Sequence, residues 1–251
     1  KFLLFFKGLR MIVAHRGSSD VSPENTIEAF NLAWLQNADA IEADFHLTKD
    51  EQIVCIHDRD TYRTCGEKLI VAESTYDELS HLDASSFFKG DSTPQQIQLL
   101  REVFKTIPNN KGIYIEIKCG PEIIPVLIKS ILSSSLQKEQ ITIIAFDPKV
   151  IKAFKSSAPN IKAFWLYDVT IKEPLSGYDL IEALRDNKAD GLSSNNKNSE
   201  EFVSNIISAG FEYHSWTIND IKIAENLLKW GAYSITTDKP EYFKNRSLEI
   251  K

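Results

Sequence analysis

The sequence predicts an α/β fold in which a parallel sheet is covered by helices. Strand-like and helix-like stretches alternate about eight times along the chain, and many strand-like stretches are apolar on both faces, as buried parallel strands are. The length of 251 residues suits one eightfold barrel of the TIM type. The sequences G-x-G-x-x-G and G-K-S/T do not occur, which disfavours the dinucleotide-binding and P-loop folds.

The individual elements follow from residue type and spacing. The strand-like stretches are runs of apolar and β-branched residues at 11–17, 40–48, 52–58, 112–118, 141–146, 161–168, 190–196, 211–219 and 233–240. The helix-like stretches lie at 24–37, 121–136, 147–158, 176–189, 199–210 and 219–231. Asp147 and Pro148 favour a helix start, and Gly210 and Gly231 favour helix ends.

One segment interrupts the alternation. Residues 59–104 are longer than the usual connection between a strand and a helix in such a barrel. We interpret them as a small insertion over the barrel mouth, with short helical turns near 75–80 and 94–104. The whole chain, 1–251, is then expected to be one barrel domain.

Composition narrows the possible partners and location. The net charge of −6 and the absence of a basic run disfavour nucleic acid, so an anionic substrate would need a local positive site. The three cysteines are odd in number and no pair has C-x-x-C spacing, so neither a disulfide framework nor a zinc site is indicated. Cysteines without disulfides are typical of a reducing compartment, so we expect a cytoplasmic location. The first ten residues hold an apolar run of about five residues, too short to span a membrane. A clipped signal or anchor and an upstream extension both fit that run.

Polar residues at strand ends are the candidates for chemistry, because the site of such a barrel lies where the strands end. Asp58 is one residue of this kind, and the eight candidate site residues are the others: His15, Arg16, Glu42, Asp44, His57, Glu116, Lys118 and Trp216. Side chains two positions apart on a strand share a face, so Glu42 and Asp44 point together, as do Glu116 and Lys118. These side chains are therefore expected to converge on one rim.

The three carboxylates among them would repel one another in a site that excludes water. A hard divalent cation removes this conflict, and a carboxylate set suits Mg²⁺ or Ca²⁺ better than zinc. The alternative is a buried ion-pair network, in which Arg16 pairs with Glu42 or Asp44 and Lys118 pairs with Glu116. The convergence of all these groups with two histidines favours the metal site.

The histidines and the two cations suit the chemistry of a phosphoryl group. The histidine side chain ordinarily titrates near neutral pH, so His15 and His57 are suited to act as base and acid in successive steps. The planar guanidinium of Arg16 fits phosphate oxygens, and Lys118 adds positive charge where negative charge develops in the transition state. The pattern indicates phosphoryl transfer without a protein nucleophile.

Several motifs occur in a fixed order: HRG at 15–17, PENT at 23–26, E-x-D at 42–44, T-x-D at 48–50, HD at 57–58, IEIK at 115–118, SWTIN at 215–219 and ITTDKP at 235–240. In this order and spacing the chain resembles the glycerophosphodiester phosphodiesterase family from about Ile12 to Pro240. A lone HRG would be weak evidence, whereas the ordered set is highly specific.

The resemblance implies a TIM barrel with a small insertion after the second histidine. It implies metal-dependent hydrolysis of glycerophosphodiesters to glycerol 3-phosphate and an alcohol, with Mg²⁺ or Ca²⁺ as the metal and a small molecule as the partner. The resemblance implies that His15 and His57 are the acid/base pair. It implies that the metal ligands are Glu42, Asp44 and Glu116. Arg16 and Lys118 would then contact the phosphate, and Trp216 would line the substrate channel. We add the prediction of a cyclic phosphate intermediate, because the substrate carries a hydroxyl next to its phosphate.

Two alternatives stay open. One is a lysophospholipase D or a phosphoinositide-type phospholipase on the same barrel, with Phe87 and Phe88 in the insertion, or Phe5 and Phe6 near the amino terminus, in contact with lipid. The other is a non-catalytic barrel that binds a phosphate ligand. The complete set of two histidines and three carboxylates argues against the second alternative.

The PENT segment also predicts local structure. Pro23 restricts the start of the first helix, and Asn25 or Thr26 is expected to cap its amides. Glu24 is expected either to favour the helix dipole or to pair with Arg16.

Some residues depart from the family or lie outside its motifs. The family usually has glycine at the positions of Asn37 and Glu51; asparagine tolerates the left-handed conformation, whereas glutamate indicates a different turn. His46, His81 and His214 match no catalytic position, and we interpret them as surface or packing residues.

Overall fold

A computed structural model describes residues 11–249 of the chain. The strands within this range are β1 (Met11–His15), β2 (Ala40–Leu47), β3 (Ile53–Cys55), β4 (Gln98–Leu99), β5 (Gly112–Ile117), β6 (Ile141–Ala145), β7 (Lys162–Tyr167), β8 (Gly191–Ser194), β9 (Glu212–Ser215) and β10 (Ser234–Thr237). The helices are α1 (Ile27–Leu35), α2 (Tyr62–Cys65), α3 (Tyr76–Ser80), α4 (Leu100–Lys105), α5 (Ile124–Leu132), α6 (Pro148–Ser157), α7 (Gly177–Asp186), α8 (Glu200–Ser208), α9 (Ile221–Lys229) and α10 (Pro240–Glu249).

Eight of these strands form a closed parallel barrel. Their order is β1, β2, β5, β6, β7, β8, β9 and β10, and β10 pairs with β1 to complete the circle. Five of the surrounding helices begin at a side chain that accepts a main-chain N–H of the first turn: Thr26, Asp147, Ser176, Ser199 and Asp220. The predicted α/β barrel of the TIM type is confirmed.

An apolar layer lies inside the barrel below the strand ends. Val13, Ala40 and Tyr114 each precede a predicted site residue by two positions on the same strand, so strand alternation places them on the same inward face. They form one buried cluster with residues of the neighbouring strands, namely Ile144, Phe164 and Leu166. The site therefore rests on a packed apolar floor.

Strand β3 lies outside the barrel. The stretch 52–58 was expected among the parallel strands, but β3 runs antiparallel to β2, and β4 runs antiparallel to β3. The connection from β2 to β3 spans residues 48–52, whereas a parallel crossover needs about a dozen residues or more. The chain thus leaves the barrel after Leu47, earlier than the insertion predicted at 59–104, and returns at Gly112.

The segment between Leu47 and Gly112 has an apolar cluster of its own, made of Val54, Ile56, Val71, Leu79, Ile97 and Leu99. Helix α3 (Tyr76–Ser80) lies at the first of the predicted helical turns. Helix α4 (Leu100–Lys105) covers only the end of the second, because residues 98–99 form the extended strand β4.

The two turns in which the family usually has glycine are both left-handed. Asn37 has φ of 61° and Glu51 has φ of 57°. The turn at Glu51 therefore keeps the conformation that glycine favours, contrary to the expectation of a different turn. The main-chain N–H of Glu51 donates to the carbonyl of Thr48 at 3.1 Å, which closes this turn.

Among residues 11–249, no helix combines the length and the apolar character needed to cross a membrane. Phe5 and Phe6, the amino-terminal residues considered for lipid contact, lie outside the described residues.

Candidate active site

A cavity of about 170 Å³ at the carboxyl ends of the strands gathers the predicted site residues. Seven of the eight line it: His15, Arg16, Glu42, His57, Glu116, Lys118 and Trp216. Asp44, the eighth, is fully buried, and its Oδ2 lies 3.1 Å from Nε of Arg16. Two larger cavities, of about 460 and 310 Å³, have no histidine among their described lining residues, so chemistry and not size identifies the site.

Strand pairing brings the three carboxylates together. In the pairing of β2 with β5, Asp44 lies opposite Glu116, and in the pairing of β1 with β2, His15 lies opposite Glu42. One oxygen from each of Glu42, Asp44 and Glu116 lies within 4.8 Å of the other two, and all three residues are buried. The structure therefore brings the three predicted metal ligands to one point.

Arg16 and Lys118 are the cations of this cluster. The main-chain N–H of Arg16 donates to Oε2 of Glu42 at 3.0 Å, and its guanidinium contacts Asp44. Nζ of Lys118 lies 2.6 Å from Oε1 of Glu116 and 3.5 Å from Oδ1 of Asp44. These contacts are those of the ion-pair network that the sequence offered as the alternative to a metal site.

Two cations do not neutralise this group of carboxylates. Burial, together with the charges of Asp44 and Glu116, raises the pKa of Glu42 well above its usual value, and burial raises the pKa of Glu116 to about 7. Burial also opposes ionisation of Asp44, but the charges of Arg16 and Lys118 keep its pKa low. Within residues 11–249, no hydrogen-bond donor reaches Oε1 of Glu42. Buried carboxylates with surplus negative charge and an unpaired oxygen fit a hard divalent cation.

His15 is held through one ring nitrogen. Its Nδ1 lies 2.6 Å from Oδ1 of Asp238, the residue after β10. Burial alone would raise the pKa of Asp238, but hydrogen bonds from His15, Asn219 and Ser19 lower it to about 2. Because Asp238 is a carboxylate, Nδ1 of His15 carries the proton. Its Nε2, 4.0 Å from Oε2 of Glu42, is then the ring nitrogen without a proton of its own in the neutral ring.

His57 is held in the same way by its chain neighbour. Its Nδ1 lies 2.6 Å from Oδ1 of Asp58. Burial would raise the pKa of Asp58, but hydrogen bonds from Arg63 and His57 lower it to about 2. The carbonyl of His57 lies 3.1 Å from Nε2 of His46, which anchors the main chain at this point. Burial lowers the pKa of His57, so the ring is biased towards its neutral form with Nε2 as the open nitrogen.

The PENT segment contributes to both the helix and the site. Thr26 is the N-cap of α1 and accepts a main-chain N–H of its first turn at 3.1 Å. Asn25 does not cap the helix; its Nδ2 donates to Oδ2 of Asp44 at 2.8 Å. Glu24 accepts a hydrogen bond from Nη1 of Arg16 at 3.0 Å, so it is a partner of the site arginine.

The aromatic side of the cavity is formed by Trp216 and Phe146. Their rings meet edge to face with centroids 5.5 Å apart. Phe146 follows β6, lines the cavity and is 44% exposed. Phe87 and Phe88 of the insertion, by contrast, are not among the described residues that line the cavity.

The three histidines without a predicted role lie away from the cavity lining. His81 is largely exposed on the insertion. His214 is fully buried in the barrel, where its Nδ1 lies 2.6 Å from Oγ of Ser234 and its ring stacks on Phe164 at 4.1 Å. His46 holds the main chain of His57, as described above.

Sequence reasoning did not assign four residues at the site: Asn25, Arg63, Phe146 and Asp238. Asp238 had a usable signal, because it lies in the ITTDKP motif directly after the last barrel strand. Asn25 was expected to cap the helix and to lie near the mouth of the barrel, but its contact with Asp44 was not predicted. Arg63 had no comparable signal, because the path of the insertion cannot be derived from hydrophobic periodicity.

Comparison with known proteins agrees with this geometry. The family model described as the glycerophosphoryl diester phosphodiesterase family matches residues 15–242. A glycerophosphodiester phosphodiesterase from Caldanaerobacter subterraneus subsp. tengcongensis is 34% identical over 248 residues, which cover 94% of this chain and 96% of that protein. Another from Bacillus altitudinis is 30% identical over 238 residues, covering 92% and 95%.

The fold is also that of a solved structure. A phosphodiesterase from Oleispira antarctica, in complex with the product sn-glycerol-3-phosphate, is similar with a TM-score of 0.82 and 24% sequence identity. The similarity covers 96% of this chain and 97% of that one, and it concerns the fold.

Proposed function

The chain belongs to the glycerophosphoryl diester phosphodiesterase family, and from this premise we propose that it hydrolyses glycerophosphodiesters to glycerol 3-phosphate and an alcohol. The observation that carries the proposal is the meeting of His15 and His57 with Arg16 and Lys118 in one cavity beside three buried carboxylates. The product found in the Oleispira antarctica phosphodiesterase, which has the same fold, is the product proposed here.

Glu42, Asp44 and Glu116 would hold a divalent cation, Mg²⁺ or Ca²⁺. The surplus negative charge of these buried groups and the unpaired Oε1 of Glu42 support this assignment. When bound, such a cation supplies positive charge that stabilises the phosphate oxygens as charge develops on them.

The phosphate is proposed to bind against Arg16 and Lys118. The guanidinium of Arg16 offers paired N–H groups to two phosphate oxygens, and the Lys118 ammonium adds a point charge. Trp216 and Phe146 form the wall of the cavity that faces the carbon skeleton of the substrate. Together these proposed contacts would hold the phosphorus atom between the two histidines, which accept and donate protons.

In the first step, the hydroxyl next to the phosphate attacks the phosphorus atom. Nε2 of one histidine, whose ring is neutral at the start, takes the hydroxyl proton, while Nε2 of the other, whose ring starts with both nitrogens protonated, gives its proton to the oxygen of the departing alcohol. A P–O bond forms within the glycerol phosphate, the P–O bond to the alcohol breaks, and a cyclic phosphate results. Attack within one molecule is favoured by an effective concentration on the order of 10⁵ M or more.

In the second step, water opens the cyclic phosphate. The histidine that has gained a proton returns it to the ring oxygen, and the other removes a proton from the attacking water. Asp238 and Asp58 keep the Nδ1–H of both rings in place throughout, so each ring exchanges protons through Nε2 alone. The site is then back in its starting protonation state.

The test is release of glycerol 3-phosphate from glycerophosphocholine, with and without EDTA, for the wild type and His15→Ala. We expect release that depends on a divalent cation and falls by at least about 100-fold in the variant. His81→Ala, an exposed histidine on the insertion, is the matched control and should keep full activity. No release from any glycerophosphodiester with any added divalent cation would overturn the proposal.

A separate substrate tests the internal attack. A phosphodiester without a neighbouring hydroxyl should react at least about 100-fold more slowly than glycerophosphocholine. Equal rates would contradict the cyclic intermediate and would favour direct attack by water.

A lysophospholipase D activity is the second candidate, and the exposure of Phe146 at the cavity is the observation that favours it. A lysophospholipid has the same phosphodiester next to a free hydroxyl but adds an acyl chain. Rates on micellar lysophosphatidylcholine and soluble glycerophosphocholine decide between the candidates. Replacement of Phe146 by serine should lower the rate on lysophosphatidylcholine more than the rate on glycerophosphocholine.

A further inference from the structure

Arg63 lies on the short helix α2 of the insertion and makes a set of hydrogen bonds that the reaction scheme does not use. Its Nη1 and Nη2 donate to both carboxylate oxygens of Glu24, at 2.9 and 2.7 Å. Its Nε donates to Oδ2 of Asp58 at 2.6 Å. One guanidinium therefore bridges two acidic residues that lie 34 positions apart in the chain.

Each of these acidic residues also holds a residue of the site. Asp58 accepts from Nδ1 of His57 at 2.6 Å, and Glu24 accepts from Nη1 of Arg16 at 3.0 Å. Nitrogen-bearing side chains and carboxylates therefore alternate in an unbroken row: His57, Asp58, Arg63, Glu24 and Arg16. One end of the row is a proposed proton carrier, and the other end is the proposed phosphate contact.

We propose that Arg63 is a positioning residue that holds His57 and Arg16 at a fixed separation across the cavity. The inference rests on the proposed function. A guanidinium suits this task because its donors lie in one rigid plane, so that three of them reach two carboxylates at once. A misplacement of about 1 Å at the reacting groups can cost about 100-fold in rate, so a fixed separation has kinetic value.

Removal of Arg63 has a distinct effect at each end. Asp58, 31% exposed, loses its only described partner apart from His57 and can turn towards solvent, which frees the His57 ring to change its tautomer. Glu24 loses its two bonds to Arg63, so both its oxygens can turn to Arg16 and engage the guanidinium that the substrate needs. The first effect lowers kcat, and the second raises KM.

A purely structural role for Arg63 gives a different expectation. The Arg63 side chain is 46% exposed, and ion pairs at such positions contribute little to the free energy of unfolding. If Arg63 only fastened the insertion to the barrel, its loss would shift the melting temperature slightly and leave both kinetic constants in place.

The experiment compares Arg63→Gln with Arg101→Gln, which removes an exposed arginine from helix α4 near the end of the same segment. We expect Arg63→Gln to lower kcat by about 10- to 100-fold and to raise KM by about 3- to 10-fold, with a melting temperature within about 2 °C of the wild type. Arg101→Gln should match the wild type. Unchanged kcat and KM in Arg63→Gln would overturn the proposal.

Nitrogen-15 NMR of the histidine side chains supplies a second readout that does not depend on turnover. In the wild type, the signal of His57 should report a proton fixed on Nδ1, and in Arg63→Gln it should report a mixture of the two tautomers. An unchanged signal would overturn the proposal. A wild type that cleaves no glycerophosphodiester would refute the proposed function instead, and the NMR comparison would still decide the placement of His57 by Arg63.

Discussion

Replacement of Glu116 by glutamine should make the protein free of divalent cations more stable at alkaline pH, although it removes a site residue. Glutamine has the shape of glutamic acid and can still accept the Lys118 hydrogen bond through Oε1. The substitution removes the negative charge of ionised Glu116, which burial and the nearby charge of Asp44 both make unfavourable. The effect should therefore depend on whether Glu116 is ionised in the wild type.

The size follows from the pKa of Glu116, which burial raises from 4.5 to about 7 in the folded chain. Between these values the folded state binds one more proton than the unfolded state, so Glu116 makes stability fall as pH rises. The loss is roughly 3 kcal/mol and is complete above about pH 7. For a chain of this length it corresponds to a difference in melting temperature of roughly 6–12 °C.

The assay is thermal unfolding in EDTA at about pH 5 and about pH 8, followed by circular dichroism. At the lower pH the wild type and Glu116→Gln should melt together, and at the higher pH the variant should melt later. The difference between the two proteins isolates Glu116 from the buried histidines, whose lowered pKa values act in the opposite direction with pH. Glu139→Gln, on the exposed surface, should show no such difference.

Addition of a divalent cation should reverse the order of the two proteins. A cation at about 1,000 times its dissociation constant stabilises the form that binds it by about 4.1 kcal/mol, which exceeds the penalty of roughly 3 kcal/mol at Glu116, and the variant has lost one ligand. Equal stability of wild type and Glu116→Gln at both pH values, with no response to Mg²⁺ or Ca²⁺, would refute the reasoning. Arg16 and Lys118 would then neutralise the carboxylates by themselves.

Three further substitutions test other parts of the structure. Asp238→Asn should lower kcat on the order of 100-fold, because an amide does not fix the His15 tautomer or stabilise its protonated ring; steady-state kinetics measure it. Gly17→Ala should destabilise the fold by roughly 3 kcal/mol in urea unfolding, since φ is +84° and a Cβ would lie 2.6 Å from the Ala29 backbone. Glu51→Gly should stabilise it by about 0.5 kcal/mol in the same assay, because φ there is 57°.

Two of these substitutions have a matched control. Asp20→Asn changes a carboxylate near the same strand end that contacts Lys239 and no histidine in the described structure, so it should leave kcat unchanged. Gly210→Ala also has positive φ but an open surrounding, so it should cost less than Gly17→Ala. A Gly17→Ala protein as stable as the wild type, or a Glu51→Gly protein less stable than it, would contradict the backbone argument.

The barrel and most of its site could be predicted because they depend on local pattern. Runs such as IVA before His15 and ITIIA in β6 have the composition of buried parallel strands. Alternation along a strand is sufficient to place Glu42 beside Asp44 on one face. The structure adds the register, which sets Asp44 opposite Glu116.

The contacts that orient the histidines could not be predicted in the same way. Asp238 and His15 are 223 positions apart and meet only because β10 closes the barrel against β1. The antiparallel direction of β3 could have been predicted from the short connection at 48–52, which has no room for a crossover. The position of Arg63 depends on how side chains of an irregular segment pack, and no residue pattern encodes that packing.

The separate apolar cluster between Leu47 and Gly112 has a consequence for heat inactivation. His57 is carried by this segment, whereas the other proposed ligands and proton carriers stand on the barrel strands or directly after them. Opening of a segment with its own small cluster requires less free energy than melting of the whole chain. On warming, activity should therefore be lost at temperatures at which the far-ultraviolet circular dichroism of the barrel is still unchanged. Activity should return on cooling. The thermal limit of the enzyme would then be set by the segment between Leu47 and Gly112 and not by the barrel that carries most of its site.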